Sequence, residues 1–492
     1  MSTTTAGEAD LKHKAVMKVL SGIVICIFLA ALDQTVVIPA IPAIARDLHD
    51  SRNLSWILTA YLLASTIVAP IYGRLSDTYG RRRLLEICLV IFIAASVACG
   101  LAQSITQLIF LRALQGLGGG GLMSLAQAAI ADAVTPRERG RYQGYLAGVW
   151  AVASIAGPLV GGFLADHASW QWLFWINLPL GLLALRLCRR GLPASFTARG
   201  YKTRFDTAGS LLMIATVSSL LLMLTLGGKA LPWASGEMLG MGALFVAAFG
   251  LLVLQQIRKA DGLFPPRLFT DRALLTGTLS STLAAGGVFA SLFVLPIFYQ
   301  NMFRSGATNA GLLMIPFLVA NVAGNFATGH LARKMGRMKP VVVSGTLMSI
   351  AGFLLLATAA GHLPLAATIA FSALAGVGLG CAMVGTLMSV QNAARQGDIG
   401  TATGTLLLLR SVGSMLGGAA VGAYLESQLH LPGASGAMDM HGAVMPAVSV
   451  APAAFSVMFL GIAAAMLVAL LISLKSPNVL LRSGEHPVVA MD

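Results

Sequence analysis

Charge is what this chain has least of. Only 11% of its 492 residues are charged, whereas 57% are apolar. A soluble domain averages about 25% charged residues, and no soluble fold of this length could cover its surface with so few. Cysteine is also scarce. Cys26, Cys88, Cys99, Cys188 and Cys381 all fall in apolar blocks and form no C-x-x-C pair, so they read as small core residues, not as disulfides or metal ligands. The phosphate-cradling G-x-x-x-x-G-K-[ST] is missing, which counts against ATP-driven export by this chain alone. H-E-x-x-H and G-x-S-x-G are missing too, which counts against a membrane protease or a standard esterase. No enzyme chemistry, cofactor or metal is expected. His430 and His441 sit in an outward loop at about 427–448, rich in Gly, Ala and Met, and read as ordinary loop residues.

The apolar residues come in long blocks. A membrane-spanning helix needs about 20 of them, and such blocks recur at 17–40, 55–73, 84–102, 107–132, 142–165, 171–188, 206–228, 236–256, 273–299, 308–330, 340–360, 364–390, 399–426 and 449–474. The alternating period of barrel strands is absent, so the expected fold is all-α and polytopic, with 14 transmembrane helices. The first block is longer than the apolar core of a signal peptide and reads as helix 1.

The net charge of +14 could suggest a nucleic-acid partner. Its distribution points elsewhere. With an even number of spans both termini lie on one side. The segments on that side hold 27 of the 33 Lys and Arg residues, and those on the opposite side hold only Arg46, Arg52, Lys229 and Arg304. The positive-inside rule then places both termini in the cytoplasm, as expected of a multi-pass protein of the plasma (inner) membrane.

An internal repeat is visible. Gly73-x-Leu75-x-Asp77-x-x-Gly80-Arg81 follows span 2, and Gly329-x-Leu331-x-Arg333-x-x-Gly336-Arg337 follows span 10, 256 positions later. LQGLGGG at 114–120 is echoed by LAGVGLG at 374–380. Duplication fits a six-helix half at 1–188, a linker with two inserted helices at 189–256, and a second six-helix half at 257–492. Transporters commonly carry such repeats, with the substrate site near the membrane midplane.

In GRLSDTYGRRR (73–83), Gly73 and Gly80 permit a tight turn and close helix approach, while Asp77 can cap a helix N-terminus or pair with Arg81. The expected role is a charge latch that holds one conformation and breaks in another. SIAGPLVGGF (154–163) puts Pro158 inside span 5 among Gly157, Gly161 and Gly162, which makes a kink or a hinge. Asp33 lies within span 1, where a carboxylate is costly and should face the bundle interior. Arg112 in span 4 lies at a similar depth and could meet it. Two readings stand: a static ion pair, or a carboxyl that takes up and releases a coupling proton, its affinity raised by burial and lowered by the arginine. Arg410, near the middle of span 13, and Gln300, Asn321 and Asn325, in or beside spans 9 and 10, are candidates for the substrate path. The same residues could instead bond between helices. Asp132, Asp166 and Glu426 sit near span ends and read as solvated or capping residues.

These motifs together resemble the major facilitator superfamily, in its fourteen-helix branch of drug:proton antiporters. GRLSDTYGRRR resembles the superfamily signature between helices 2 and 3, and LDQTVVIPAIP (32–42) the helix 1 signature of the branch. RALQGLGGGG (112–121) resembles the helix 4 motif whose arginine is linked to proton transfer. AGPLVGG (156–162) resembles the antiporter motif, and SWQWLFWINLPLG (169–181) the junction of helices 5 and 6. The resemblance covers about 15–475. It implies proton coupling by Asp33 and Arg112, a latch at Asp77 and Arg81, a hinge at Gly157 and Pro158, and multidrug export. Relatives of one subgroup work with a periplasmic adaptor, a further candidate partner. Departures are Ile38 where Asn is common, Ala153 for the first glycine of the antiporter motif, and Arg333 for the acid of the second latch copy. Span 10 has no acid, where some exporters of dications carry one, so neutral, monocationic or weakly acidic amphipathic substrates are expected. A dedicated carrier of one metabolite or siderophore on the same fold is the alternative, and a membrane sensor or enzyme a distant third.

Overall fold

The computed structural model describes residues 3–49, 54–134, 136–192, 206–227, 231–259, 264, 270–305, 307–358, 364–429, 451–478 and 480–481. Among them run fourteen long helices: α1 (Thr3–Val36), α2 (Ser55–Tyr79), α3 (Arg81–Cys99), α4 (Ile105–Ala133), α5 (Pro136–His167), α6 (Asn177–Gly191), α7 (Thr207–Leu226), α8 (Gly236–Arg258), α9 (Arg272–Phe303), α10 (Ile315–Met335), α11 (Lys339–Thr358), α12 (Leu365–Ala393), α13 (Ile399–Leu429) and α14 (Pro452–Lys475). Each expected span coincides with one of them. Thirteen are long and apolar enough to cross a membrane, α6 together with the short helix Trp172–Trp175 before it. The exception, α3, opens on Arg81, Arg82 and Arg83 and carries Glu86, after which Ile87–Cys99 holds no charge. The His430 and His441 loop, most of the loops at 189–205 and 257–272, and the side chains of Asp166, Arg333 and Glu426 lie outside the described residues.

The helices pack as two compact units. The first contains the described residues up to Asp206 together with Ala394–Leu407, and the second contains Thr207–Ala393 and Leu408–Leu481. α7 and α8 pack on each other and belong to the second unit.

The sequence repeat is also a repeat of contacts. In α4, Gly116 and Gly120 abut Tyr61 and Ser65 of α2, and Gly118 abuts Cys88 and Phe92 of α3. In α12, Gly376 and Gly380 abut Phe317 and Asn321 of α10, and Gly378 abuts Gly345 and Ser349 of α11. The α10 partners stand 256 positions after their α2 counterparts, the same interval as the loop motif. Without a Cβ the helix backbones meet directly, and this drives close packing where lipid removes the hydrophobic incentive to associate. Both loop motifs turn at a glycine of positive φ, Gly80 (φ 92°, ψ 146°) and Gly336 (φ 64°, ψ 10°), the two such glycines among the described residues.

Large side chains fill the rest. In the first unit Ile23, Leu85, Cys88, Phe92 and Leu125 are fully buried together. In the second, Phe298 meets Phe455 and Phe459 edge-on at 5.2 and 5.3 Å between ring centroids, the favoured geometry for such pairs. After α14 the chain returns across the second loop motif. The Leu481 N–H donates to the Gly336 carbonyl (2.9 Å), Leu480 bridges to Arg337, and the Leu481 side chain is buried among Ala332, Met338, Val341, Val384 and Met388. Lys339 Nζ donates to the Leu474 and Ser476 carbonyls at 2.7 and 2.8 Å, and Asn392 Nδ2 to the Leu480 carbonyl at 3.3 Å.

Candidate functional site

Four helices of the first unit enclose a fully buried polar cluster. Asp33 of α1, Ser96 of α3, Arg112 and Gln115 of α4, and Asn177 at the start of α6 are each 0% exposed. Arg112 Nη1 donates to Asp33 Oδ2 at 2.6 Å and to Gln115 Oε1 at 2.6 Å. Gln115 Nε2 and Asn177 Nδ2 both donate to Asp33 Oδ1 at 2.8 Å. The same two amides donate to Ser96 Oγ at 3.0 and 2.9 Å, while Ser96 donates to the Phe174 carbonyl at 2.9 Å. Arg112 Nε donates to the Ile57 carbonyl at 3.2 Å. The guanidinium lies over the Tyr61 ring at 4.4 Å and near that of Phe174 at 5.7 Å.

Local structure explains how these groups converge. Arg112 and Gln115 are three residues apart and so share one face of α4. The four-residue helix Trp172–Trp175 ends at Ile176, and α6 restarts at Asn177 with Pro179 in its first turn, where proline is tolerated. That break turns Asn177 inward. An isolated carboxylate here would cost several kcal/mol, so the arginine and the two amides are what make Asp33 tenable as an anion.

α5 packs on α1 beside this cluster. A Cβ at Gly157 would strike Thr35, and one at Gly161 would strike Val36 and Pro39, whereas Gly162 faces open space. Thr35 Oγ1 donates to the Ala153 carbonyl at 3.0 Å. Pro158 is exposed, inside the unbroken helix Pro136–His167.

A second cluster lies at the turn between α2 and α3. Asp77 Oδ1 accepts from Arg81 Nη2 at 2.6 Å and from the Gly400 N–H at 3.1 Å. Its Oδ2 accepts from the N–H and the hydroxyl of Thr401, both at 2.9 Å. Gly400 and Thr401 belong to the first turn of α13, so Asp77 both pairs with Arg81 and caps a helix 323 positions away. Gly73 and Gly400 allow the two backbones to touch. Arg81 also bonds Ser76 Oγ and reaches Asp132 Oδ2 at 2.9 Å, and Arg74 lies 3.7 Å from Asp398. Burial disfavours the Arg81 charge, but Asp77 and Asp132 outweigh it and hold the guanidinium above its ordinary range. Asp132 is therefore an ion-pair partner of the turn, not merely a solvated helix end.

The four candidates for the substrate path all lie in the second unit. Arg410 Nε donates to Ser281 Oγ at 2.5 Å, and its Nη2 bonds the Met383 carbonyl. Asn321 Nδ2 donates to the Gly376 carbonyl at 3.3 Å, a bond between α10 and α12. Asn325 is buried with its Oδ1 unpartnered, and Gln300 is half-buried. Asn325 and Arg410 both adjoin the Gly380–Met383 stretch of α12, Asn325 through its backbone beside Gly380. Sequence reading missed Gln115, Ser96 and Asn177. Gln115 and Asn177 lie within motifs it singled out, and the signal for both was a polar residue beside an intramembrane charge or helix break.

The family pattern described as Major Facilitator Superfamily matches residues 23–418. The chain belongs to the major facilitator superfamily. It is 33% identical over 409 residues to the multidrug transporter protein MdtP of Bacillus subtilis (strain 168), covering 83% of this chain and 75% of that one. Multidrug resistance protein 3 of the same organism is 33% identical over 423 residues, covering 85% of this chain and 80% of the relative. Solved structures share the fold: a bacterial homologue of the iron transporter ferroportin, in an outward-facing state, superposes with a TM-score of 0.63 at 13% identity, covering 94% of this chain and 99% of that one. As a member of this superfamily the protein is a multi-pass membrane transporter of small molecules and not an enzyme.

Proposed function

We propose that this transporter exports small amphipathic compounds in exchange for protons by alternating access, with Asp33 as the proton-carrying group. The observation that carries the reading is the one carboxylate held fully buried by Arg112, Gln115 and Asn177 inside the helix bundle. Intramembrane ionisable residues of this kind mark proton and ion paths. The multidrug names of two relatives that match over most of their length support export of several unrelated compounds. In this reading Arg112 sets the proton affinity of Asp33. The Asp77 grip on the first turn of α13 is the latch, and the contact of α5 with α1 at Gly157 and Gly161, next to Pro158, is the hinge. Arg410, Gln300, Asn321 and Asn325 border the path of the substrate. Both termini lie in the cytoplasm, and the membrane is the inner one.

Purified protein in liposomes with an imposed pH gradient tests this. Ethidium and several chemically unrelated dyes should each release protons, and Asp33→Asn should abolish the exchange. Response to a single compound would make the protein a dedicated carrier. Transport that ignores both the gradient and Asp33 would leave the buried acid structural.

A further inference from the structure

In the ionised state Asp33 is surrounded by donors. Arg112 supplies Oδ2, and Gln115 and Asn177 supply Oδ1. The titratable groups that face it are Arg112 from α4, Tyr61 from α2 and Cys99 from α3. Among the described residues α6 contributes the neutral Asn177, and α5 makes no hydrogen bond or ion pair with it. This suits a carboxylate and does not suit an acid. Once protonated, Asp33 carries an O–H that needs an acceptor, and a buried donor without one loses about 1–3 kcal/mol.

Within the hydrogen-bonded cluster, three side chains carry an oxygen that can accept: Gln115, Ser96 and Asn177. An arginine has no acceptor atom, so Gln115 must keep Oε1 toward Arg112 and Nε2 toward Asp33. Turning the Gln115 amide would set its NH2 against the guanidinium. Ser96 Oγ already accepts from both amides and gives its hydrogen to the Phe174 carbonyl. Asn177 differs. Its Nδ2 makes both of its bonds, but its Oδ1 is buried with no partner. A buried acceptor left empty is uncommon and calls for an explanation. No charge fixes this amide in one sense, and a half-turn about its last bond exchanges Nδ2 and Oδ1.

We propose that Asn177 is the residue that follows the protonation state of Asp33, donating to the carboxylate through Nδ2 and turning over to accept the acid O–H through Oδ1. The inference rests on the reading of Asp33 as the proton-carrying group. Asn177 is a positioning residue: it holds the carboxyl in either state without itself carrying the proton. It has a definite sign. The carboxylate without Asn177 still has Gln115 and Arg112 as donors, whereas the acid without it has no free amide oxygen in the cluster to accept its O–H. Loss of Asn177 therefore weakens the protonated form more than the ionised one and lowers the pH at which Asp33 takes up its proton.

The test reads protonation directly and needs no transported compound. Protein in phosphatidylcholine vesicles is titrated by difference infrared spectroscopy, and the carboxylic-acid carbonyl band is assigned by its loss in Asp33→Asn. The wild-type band should lie at the frequency of an acid whose O–H is hydrogen-bonded. In Asn177→Leu, an apolar near-isostere, the band should move to that of a free acid and its midpoint should fall by about one pH unit. Asn177→Gln, which keeps an amide able to turn, should restore part of the shift. A band and midpoint unchanged in Asn177→Leu would overturn the role of Asn177 and leave the coupling role of Asp33 intact. Absence of any titrating band would remove the coupling role itself, and this inference with it. If Asn177→Leu does not fold, the wild-type spectrum still decides, because a free-acid frequency there excludes an acceptor at Asn177.

Discussion

The loop from α2 to α3 and the loop from α10 to α11 both reverse the chain in a few residues and hold different things. Each pivots on a glycine of positive φ, Gly80 or Gly336. In the first, Asp77 caps the first turn of α13 and is itself held by Arg81, which reaches on to Asp132. In the second, sequence puts Arg333 at the position of the acid, and the chain after α14 covers the turn through Leu480 and Leu481. A glycine of positive φ has been kept in both copies, while the acid stands in one. A turn and a carboxylate cap are thus separable features of the repeated motif. The turn follows from two helices that must reverse in few residues, and the cap from a carboxylate that has a helix N-terminus to hold.

Substitutions can break this comparison at different strengths. The largest effect is expected of Asp77→Ala, which strips the Arg81 guanidinium of one of its two carboxylates and leaves the Gly400 and Thr401 N–H groups without their acceptor. Folded stability should fall by about 3 kcal/mol, the low end for a broken buried pair because Asp132 remains. Thermal unfolding in detergent measures this, and dye efflux from liposomes should slow at least about tenfold. A variant with unaltered unfolding and efflux would reduce the first loop to a turn like the second.

A smaller effect separates the two glycines. Gly80, at ψ 146°, lies where essentially only glycine is found, whereas Gly336, at ψ 10°, lies in the left-handed helical region. Gly80→Ala should cost about 2–3 kcal/mol and Gly336→Ala about 1 kcal/mol, with Gly336→Asn milder still. Equal losses in the same unfolding assay would mean that the two turns are held by the same constraint after all.

The smallest effect is expected at the strap over the second loop. Leu481→Ala removes roughly 2 kcal/mol of local burial, so the Leu481 amide should exchange with deuterium at least about tenfold faster. The unfolding midpoint should hardly move, since a segment outside the helices, held by a few local contacts, can open by itself. A fall in that midpoint would make the strap part of the cooperative core.

The course of the chain was legible in the sequence because twenty-residue apolar blocks have few other uses. Asp33 and Arg112 were legible because a charge inside such a block is conspicuous, and the structure brings them to 2.6 Å. Gln115, Ser96 and Asn177 were not. Neutral polar residues occur throughout these helices, and choosing the three that converge requires the rotation of each helix about its axis, which no periodicity in an all-apolar helix fixes. Asp132 was misjudged for a related reason. Nearness to a helix end suggests solvent, but Arg81 lies beside it across a turn. Thr401 could not be foreseen as the partner of Asp77, since what it offers first is a backbone N–H that every residue but proline has. Asn321, read as a candidate for the substrate path or a bond between helices, has its amide on the Gly376 carbonyl.

The buried cluster also has an electrical side. Asp33 and Arg112 cancel, so while the carboxyl is ionised the cluster is neutral and membrane voltage exerts no net pull on it. Adding a proton leaves one positive charge in the same buried place. Carried across the full bilayer, that charge would feel about 2.3 kcal/mol for each 100 mV. If Asp33 carries the proton as proposed, voltage would act on the protonated network and pass over the ionised one.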